Sequence, residues 1–193
     1  LSCRPRMNQD FYDLDITTIE DFQEKSSYEA CRFIGLDFTA VKVSQSKFLD
    51  CTFEECNLSN CSLVDTVLNG VSFYNCKLLG LHFEYANAFG FSCQFDNCLL
   101  KHASFYQMNL QNCKFLNCDL EGVEFTEVKA MGVSFEGSHL LSAHFERSDL
   151  SRADLTGVTE LTLDPEFNSM KGAKIQFAQL PGLLVKYGLN IQH

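Results

Sequence analysis

Ten cysteines and five histidines in 193 residues supply enough ligands and nucleophiles for a zinc site, a disulfide framework or a catalytic thiol. Their spacing argues against each. The cysteines recur five apart, as in Cys51, Cys56 and Cys61, then Cys93 and Cys98, not in the short pairs of a zinc site. His82, His102, His139 and His144 have no Ser, Cys or carboxylate partner at a recognisable catalytic spacing, and His193 is terminal. The 11 glycines are scattered and form no phosphate loop. The start, Leu-Ser-Cys-Arg-Pro-Arg-Met, lacks a secretory h-region, so disulfides are the poorer default. These residues predict reduced thiols, no metal, no cofactor and no catalysis.

What positions the cysteines is a repeat. From Phe33, every fifth residue is apolar and mostly Phe or Leu: Phe33, Phe38, Val43, Phe48, Phe53, Leu58, Leu63, Leu68, Phe73, Leu78, Phe83, Ala88. The register slips by two residues near Gly90 and resumes at Phe95, running through Phe105, Phe115, Phe125, Phe135 and Phe145 to Leu155. Two residues earlier in each unit lies a lane of small side chains, and nine of the ten cysteines sit there, all but Cys3. A period of five suits neither an α-helix nor a long strand. It suits a chain that turns a corner every five residues, with one large and one small side chain inward per unit. That is a β-solenoid, its coils stacked at about 4.8 Å.

Sorting the units by four puts Phe33, Phe53, Phe73, Phe95, Phe115 and Phe135 on one face and Phe83, Phe105, Phe125 and Phe145 on the opposite one. Eight repeat cysteines fall into two adjacent columns, whereas sorting by three scatters both residue types. The expected coil therefore has four sides and 20 residues, with rings stacked along the axis and the slip absorbed as a bulge.

Units such as Ala153-Asp154-Leu155-Thr156-Gly157 and Ser148-Asp149-Leu150-Ser151-Arg152 resemble the A(D/N)LXX consensus of pentapeptide-repeat proteins. The resemblance covers about residues 31–157 and implies an all-β, right-handed quadrilateral β-helix. The tail, with Leu163-Asp164-Pro165-Glu166-Phe167-Asn168 and Leu183-Leu184-Val185-Lys186-Tyr187-Gly188, resembles the C-terminal module of the Qnr quinolone-resistance proteins and of the microcin and albicidin immunity proteins. That resemblance implies a homodimeric, bacterial, cytoplasmic protein acting as a DNA mimic on DNA gyrase or topoisomerase IV.

The domain expectation is an N-terminal cap in 1–30, the solenoid in 31–157 and a capping and dimerisation module in 158–193. Pro181 starts, and Gly188 ends, a short helix in that module. Its stripe of Phe177, Leu180, Leu183, Leu184 and Tyr187 either covers the last coil or crosses a two-fold axis. In residues 1–30, Phe11, Tyr12, Leu14, Ile16, Ile19 and Phe22 are available for a cap.

The net charge of −10 argues against direct nucleic-acid binding, and no apolar run is long enough to span a membrane. The partner-facing acids are expected at Glu54, Glu55, Asp119, Glu121, Glu124, Glu127, Glu136 and Glu146. Six coils span roughly 30 Å, over which duplex DNA carries on the order of 18 charges. The repeat region carries a net of −6, so local acidic stripes, not overall charge, must carry any mimicry. The other reading of this charge is ordinary solubility and a general interaction scaffold with an unrelated bacterial partner. The Gram-negative quinolone-resistance proteins carry projecting loops; the slip is the only interruption here. Phe89 and Phe91 at the slip either form a small contact site or pack down over the bulge.

Overall fold

A computed structural model describes residues 9–190. The strands are β1 (Asp10–Tyr12), β2 (Asp15–Ile16), β3 (Ser27–Glu29), β4 (Arg32–Ile34), β5 (Lys47–Leu49), β6 (Thr52–Glu54), β7 (Val67–Asn69), β8 (Val71–Tyr74), β9 (Cys93–Asp96) and β10 (Lys114–Leu116). All pairings are parallel: β1-β3-β5-β7 form one sheet and β2-β4-β6-β8-β9-β10 another. Single bridges carry the ladder along the other two sides, Leu99 to Asp119 to His139 on one and Ser104 to Glu124 to His144 on the other. The result is a right-handed, four-sided parallel β-helix. Its faces are identified below by the inward residues Leu110, Phe115, Leu120 and Phe125.

The large lane fills the axis. On the Phe115 face, ring centroids step by 4.6 to 5.2 Å from Phe33 through Phe53, Phe73, Phe95 and Phe115 to Phe135, all stacked. On the Phe125 face, Phe83, Phe105, Phe125 and Phe145 stack at 4.5 to 5.4 Å. The two columns meet edge-on, as where Phe115 lies 5.3 Å from Phe105 at 84°. Offset stacking along the axis and T-shaped contact across it are the two arrangements the ring quadrupole favours.

Corners need a sharp reversal, and the chain makes most of them with a left-handed residue two after the large position. Glycine stands there at Gly35, Gly70 and Gly157, but so do Asp50, Glu55, Asn75, Asn97, Asn117, Glu127 and Arg147, with φ between 51° and 58°. Asn and Asp tolerate this region by hydrogen-bonding locally; for Glu and Arg it is strained, and the ladder on both sides must hold it.

Four expectations need correction. The coil starts near Asp10, not residue 31: Asp10 pairs with Ser27, Phe11 stacks on Tyr28 at 4.9 Å, and Tyr28 stacks on Phe48. This first turn is three residues shorter than the next, in which Ser27 pairs with Lys47. Its interior is closed by Phe22, which packs against Tyr28, Phe33, Phe38 and Phe48. Tyr12 and Leu14 stay exposed. The coil also runs past residue 157, since Asp149 pairs with Ser169 and Asp154 with Lys174. At the slip, Val71 pairs with Cys93 across a 22-residue coil, and Ala88 is exposed while Phe91 turns inward. A methyl group is too small to fill the space between Leu68 and Leu110. Finally, the C-terminal helix, short as expected, stops before Gly188. Only α1 (Leu180–Leu183) is α-helical, between 3₁₀ turns at Phe177–Gln179 and Val185–Tyr187. Pro181 lies in its first turn, and Gly188, at φ 60°, ends the second 3₁₀ turn instead.

Candidate protein-binding surfaces

The small lane does more than fill space. Each coil leaves carbonyls of the large residues pointing toward the coil above, and the small lane supplies donors to them. Cys51 Sγ donates to Tyr28 O, Cys56 to Phe33 O, Cys76 to Phe53 O and Cys98 to Phe73 O, at 3.3 to 3.4 Å. Where the lane holds another polar residue, that residue does the same. Thr66 Oγ1 donates to Val43 O, Ser138 Oγ to Phe115 O, Ser148 Oγ to Phe125 O and Asn168 Nδ2 to Phe145 O. Buried carbonyls need such partners, which explains why small hydrogen-bond donors recur in the lane beside Val and Ala.

All nine described cysteines are free thiols, buried except for half-buried Cys61. Burial pushes the thiols of Cys51 and Cys113 up to about 12 and that of Cys61 to about 11. Along the Cys56–Cys76–Cys98–Cys118 column, contacts between thiols raise Cys76 and Cys118, and burial adds to the rise. The same contacts lower Cys56 and Cys98, against burial. Cys3 and His193 lie outside the described residues. Among those described, no cluster of three or more His, Cys, Asp or Glu could hold a metal ion. The imidazole Nδ1 of His82 lies 3.0 Å from Glu84 Oε1, and that of His139 lies 2.9 Å from Thr159 Oγ1.

The structure does not gather the eight expected acids onto one side. Glu54, Glu55 and Glu136 project from the Phe115 face, Asp119 and Glu121 from the Leu120 face, and Glu124, Glu127 and Glu146 from the Phe125 face and its corner. Five are held by cations of the rod itself. Arg32 pairs with Glu54 at 3.1 Å, Lys101 with Asp119 and Glu121 at 3.1 and 2.6 Å, and Arg147 with Glu127 and Glu146 at 2.9 and 2.8 Å. Gln107, donating one coil below, and Arg147 together hold the Glu127 carboxyl below its ordinary value. Glu55, Glu124 and Glu136 have no ion-pair partner among the described residues.

At the C-terminal end, the expected interface residues divide. Leu183 is 9% exposed and closes the core over the last coil, so it cannot reach a partner. Leu184 is half-buried, while Phe177, 88% exposed, and Leu180 and Tyr187 face outward, joined by Val185 and Leu189. Gly182 sets how closely this segment docks. A Cβ there would land on the Leu161 carbonyl oxygen, and Leu163 N donates to Gly182 O at 3.3 Å. Lys186 clamps the far side, 2.8 Å from Asp164 and 2.7 Å from Glu166. Burial opposes the Lys186 charge, but the two carboxylates outweigh it and raise its pKa.

The slip also divides. Phe91 is 5% exposed and packs edge-on to Phe83 at 6.2 Å, so it is an interior residue and not a contact. Phe89 is 90% exposed, its amide held by Asn87 Oδ1 at 2.9 Å.

A stack of coils that differ mainly in their outward side chains places the molecule among the repeat solenoids. Family models match two stretches, pentapeptide repeats (8 copies) at residues 46–80 and a pentapeptide repeat region at 91–163, together more than half of the chain. The chain belongs to the pentapeptide-repeat proteins. It is similar in fold to a trypsin-treated form of QnrB1, a plasmid-mediated fluoroquinolone resistance protein. The TM-score is 0.65 at 18% identity, over 96% of this chain and 98% of that one. A second trypsin-treated form of QnrB1 matches with a TM-score of 0.52 at 18% identity, over 97% and 100% of the two chains. No curated protein sequence matches.

Proposed function

We propose that this protein is a non-catalytic binding rod that docks on DNA gyrase or topoisomerase IV and protects the enzyme from a quinolone or a peptide toxin. The observation that carries this reading is the end-to-end correspondence of the fold with QnrB1, whose description is fluoroquinolone resistance. The acidic surface supports a local form of DNA mimicry. Glu55, Glu124 and Glu136 offer carboxylates free of internal cations, to meet basic side chains that otherwise hold phosphates. In this reading the rod needs no metal or cofactor, and does not itself bind nucleic acid.

The C-terminal surface of Phe177, Leu180, Leu184 and Tyr187 then joins two copies about a two-fold axis, with Val185 and Leu189 in place of the buried Leu183. Light scattering on wild type and Phe177→Asp tests this; a wild-type monomer at micromolar concentration refutes it.

The functional test is a gyrase supercoiling assay with and without a quinolone. Protection or inhibition supports the reading; no binding, inhibition or protection at micromolar protein ends it. A second reading, a scaffold for an unrelated bacterial protein, is favoured by the internal pairing of five of the eight acids. Affinity capture from the native host separates the two, since a topoisomerase subunit dominates only under the first.

A further inference from the structure

Near the slip the rod breaks its own rule that outward positions are polar. The unit around Phe83 does not end in a left-handed corner. It forms a 3₁₀ turn at Phe83–Tyr85, closed by Ala86 N donating to Phe83 O. That turn brings His82 and Tyr85 together, ring centroids 5.5 Å apart. Tyr85 and Phe89 are largely exposed, and Val64, one coil before Glu84, and Tyr106, one coil after it, are partly so. Within this apolar surface lies a carboxylate whose needs are half met. Glu84 Oε1 faces His82 Nδ1, while Glu84 Oε2 is enclosed and accepts no hydrogen bond. Neither Asp65, one coil before Tyr85, nor Glu124, two coils beyond His82 on the same face, has an ion-pair partner among the described residues, whereas Glu127 and Glu146 farther along are neutralised by Arg147.

We propose that His82, Glu84, Tyr85 and Tyr106, with Phe89 at the rim, receive an arginine side chain from a loop of a partner protein. Aromatic faces attract a guanidinium, and the planar fork can stack on a ring while donating to a carboxylate. Turning the Glu84 carboxyl group outward gives Oε2 the donor it lacks. Asp65 and Glu124 have no internal cation and Glu84 has only the His82 imidazole beside it, so the local charge selects a cation over a neutral apolar side chain. A Lys ammonium, more strongly hydrated and unable to stack, fits less well. This inference rests on the reading of the molecule as a binding rod, and it names where, and with what chemistry, a partner is held.

The test is an aromatic-region NMR titration of the full chain with a short arginine–glycine peptide, beside lysine–glycine and all-glycine controls. The expected result is a saturable shift of the His82, Tyr85 and Tyr106 resonances with the arginine peptide, at least threefold weaker with lysine. It is lost in Tyr85→Ala, and is weakened at least threefold in Glu84→Gln, whose near-identical shape keeps the fold. No saturable shift by about 10 mM peptide, or one unchanged in both variants, overturns the proposal. Binding of purified gyrase to wild type and to the Tyr85→Ala, Phe89→Ala double variant separates this proposal from the one it rests on. If gyrase binds both equally, the arginine site is wrong as a partner contact and the topoisomerase reading stands. If gyrase binds neither while the peptide still saturates the wild type, the topoisomerase reading falls and the site stands.

Discussion

Replacing Phe115 by Ala removes a ring from the middle of the longest aromatic column. Phe115 is fully buried, stacked 5.1 Å from Phe95 and 5.2 Å from Phe135, and edge-on to Phe105 and Phe125 at 5.3 and 5.7 Å. Taking about 150 Å² of buried apolar surface for the ring at about 25 cal/mol per Å² gives a loss of about 4 kcal/mol. That agrees with the range of about 3–5 kcal/mol measured for large-to-small aromatic changes in cores. The cavity cannot collapse readily, because strand spacing fixes the distance from the coil below to the coil above. For a chain of this size about 4 kcal/mol corresponds to a fall in melting temperature of about 8–16 °C. The assay is thermal and guanidinium unfolding followed by circular dichroism, beside Glu136→Gln, an outward change expected to stay within about 0.5 kcal/mol. Equal shifts for the two variants would refute the assignment of inward and outward lanes.

Ser148→Ala removes the donor to Phe125 O and the acceptor for Val128 N, and is expected to destabilise by about 1–3 kcal/mol. Ser148→Cys keeps a donor at the same place, and a loss as large as alanine's contradicts the carbonyl-capping role. Native protein treated with iodoacetamide at pH 8 and weighed intact should gain label slowly at the repeat cysteines, because the coil encloses all of them but half-buried Cys61 and burial raises the thiols of Cys51, Cys61 and Cys113; rapid multiple labelling, or several native disulfides, contradicts this. Acid should loosen the C-terminal segment first. Lys186 lowers the Asp164 and Glu166 carboxyls in the folded chain. Their stabilisation is therefore complete above the unfolded carboxylate value of about 4 and is lost as pH falls through the lower folded values. Hydrogen-exchange protection at residues 180–188, each rate taken relative to the intrinsic rate at its pH, that stays unchanged between pH 6 and pH 3 while the coils remain folded would contradict that order.

The architecture was legible because each unit places its large side chain at one fixed offset. Once Phe95, Phe115 and Phe135 are seen to be 20 residues apart, the faces follow. The same offset also carries the surface, where it is harder to see. Lys101 lies one coil before Glu121, and Gln107, Glu127 and Arg147 stand 20 apart in one column. Reading the acids singly hid the three cations that hold five of them, four from one coil away and Glu146 from its own neighbour Arg147. The missed start has a different cause. Tyr28 keeps the five-residue period, but the coil before it is short, so the pattern ends at Tyr28 while the coiling does not. Ala88 misled because it keeps the period and only volume disqualifies it; Phe91, three residues on, fills the space. The Glu84 site could not be read from spacing at all, since it depends on a 3₁₀ turn where the repeat would place a left-handed corner.

The four-sided coil also sets an arithmetic for how such a chain can change length. Losing a single unit of five residues would rotate everything downstream by a quarter turn. Phe115 would then face a Leu column and every cross-coil pair would be dealt a new partner. Losing or gaining 20 residues restores every column and merely shortens or lengthens the rod by about 4.8 Å. The two residues inserted at the slip are tolerated for a separate reason: they leave the chain on the outside and return it at Phe91 in phase. Deletions and duplications of this gene that keep a folded product should therefore fall on multiples of a whole coil, or lie wholly within an outward bulge such as that of Phe89.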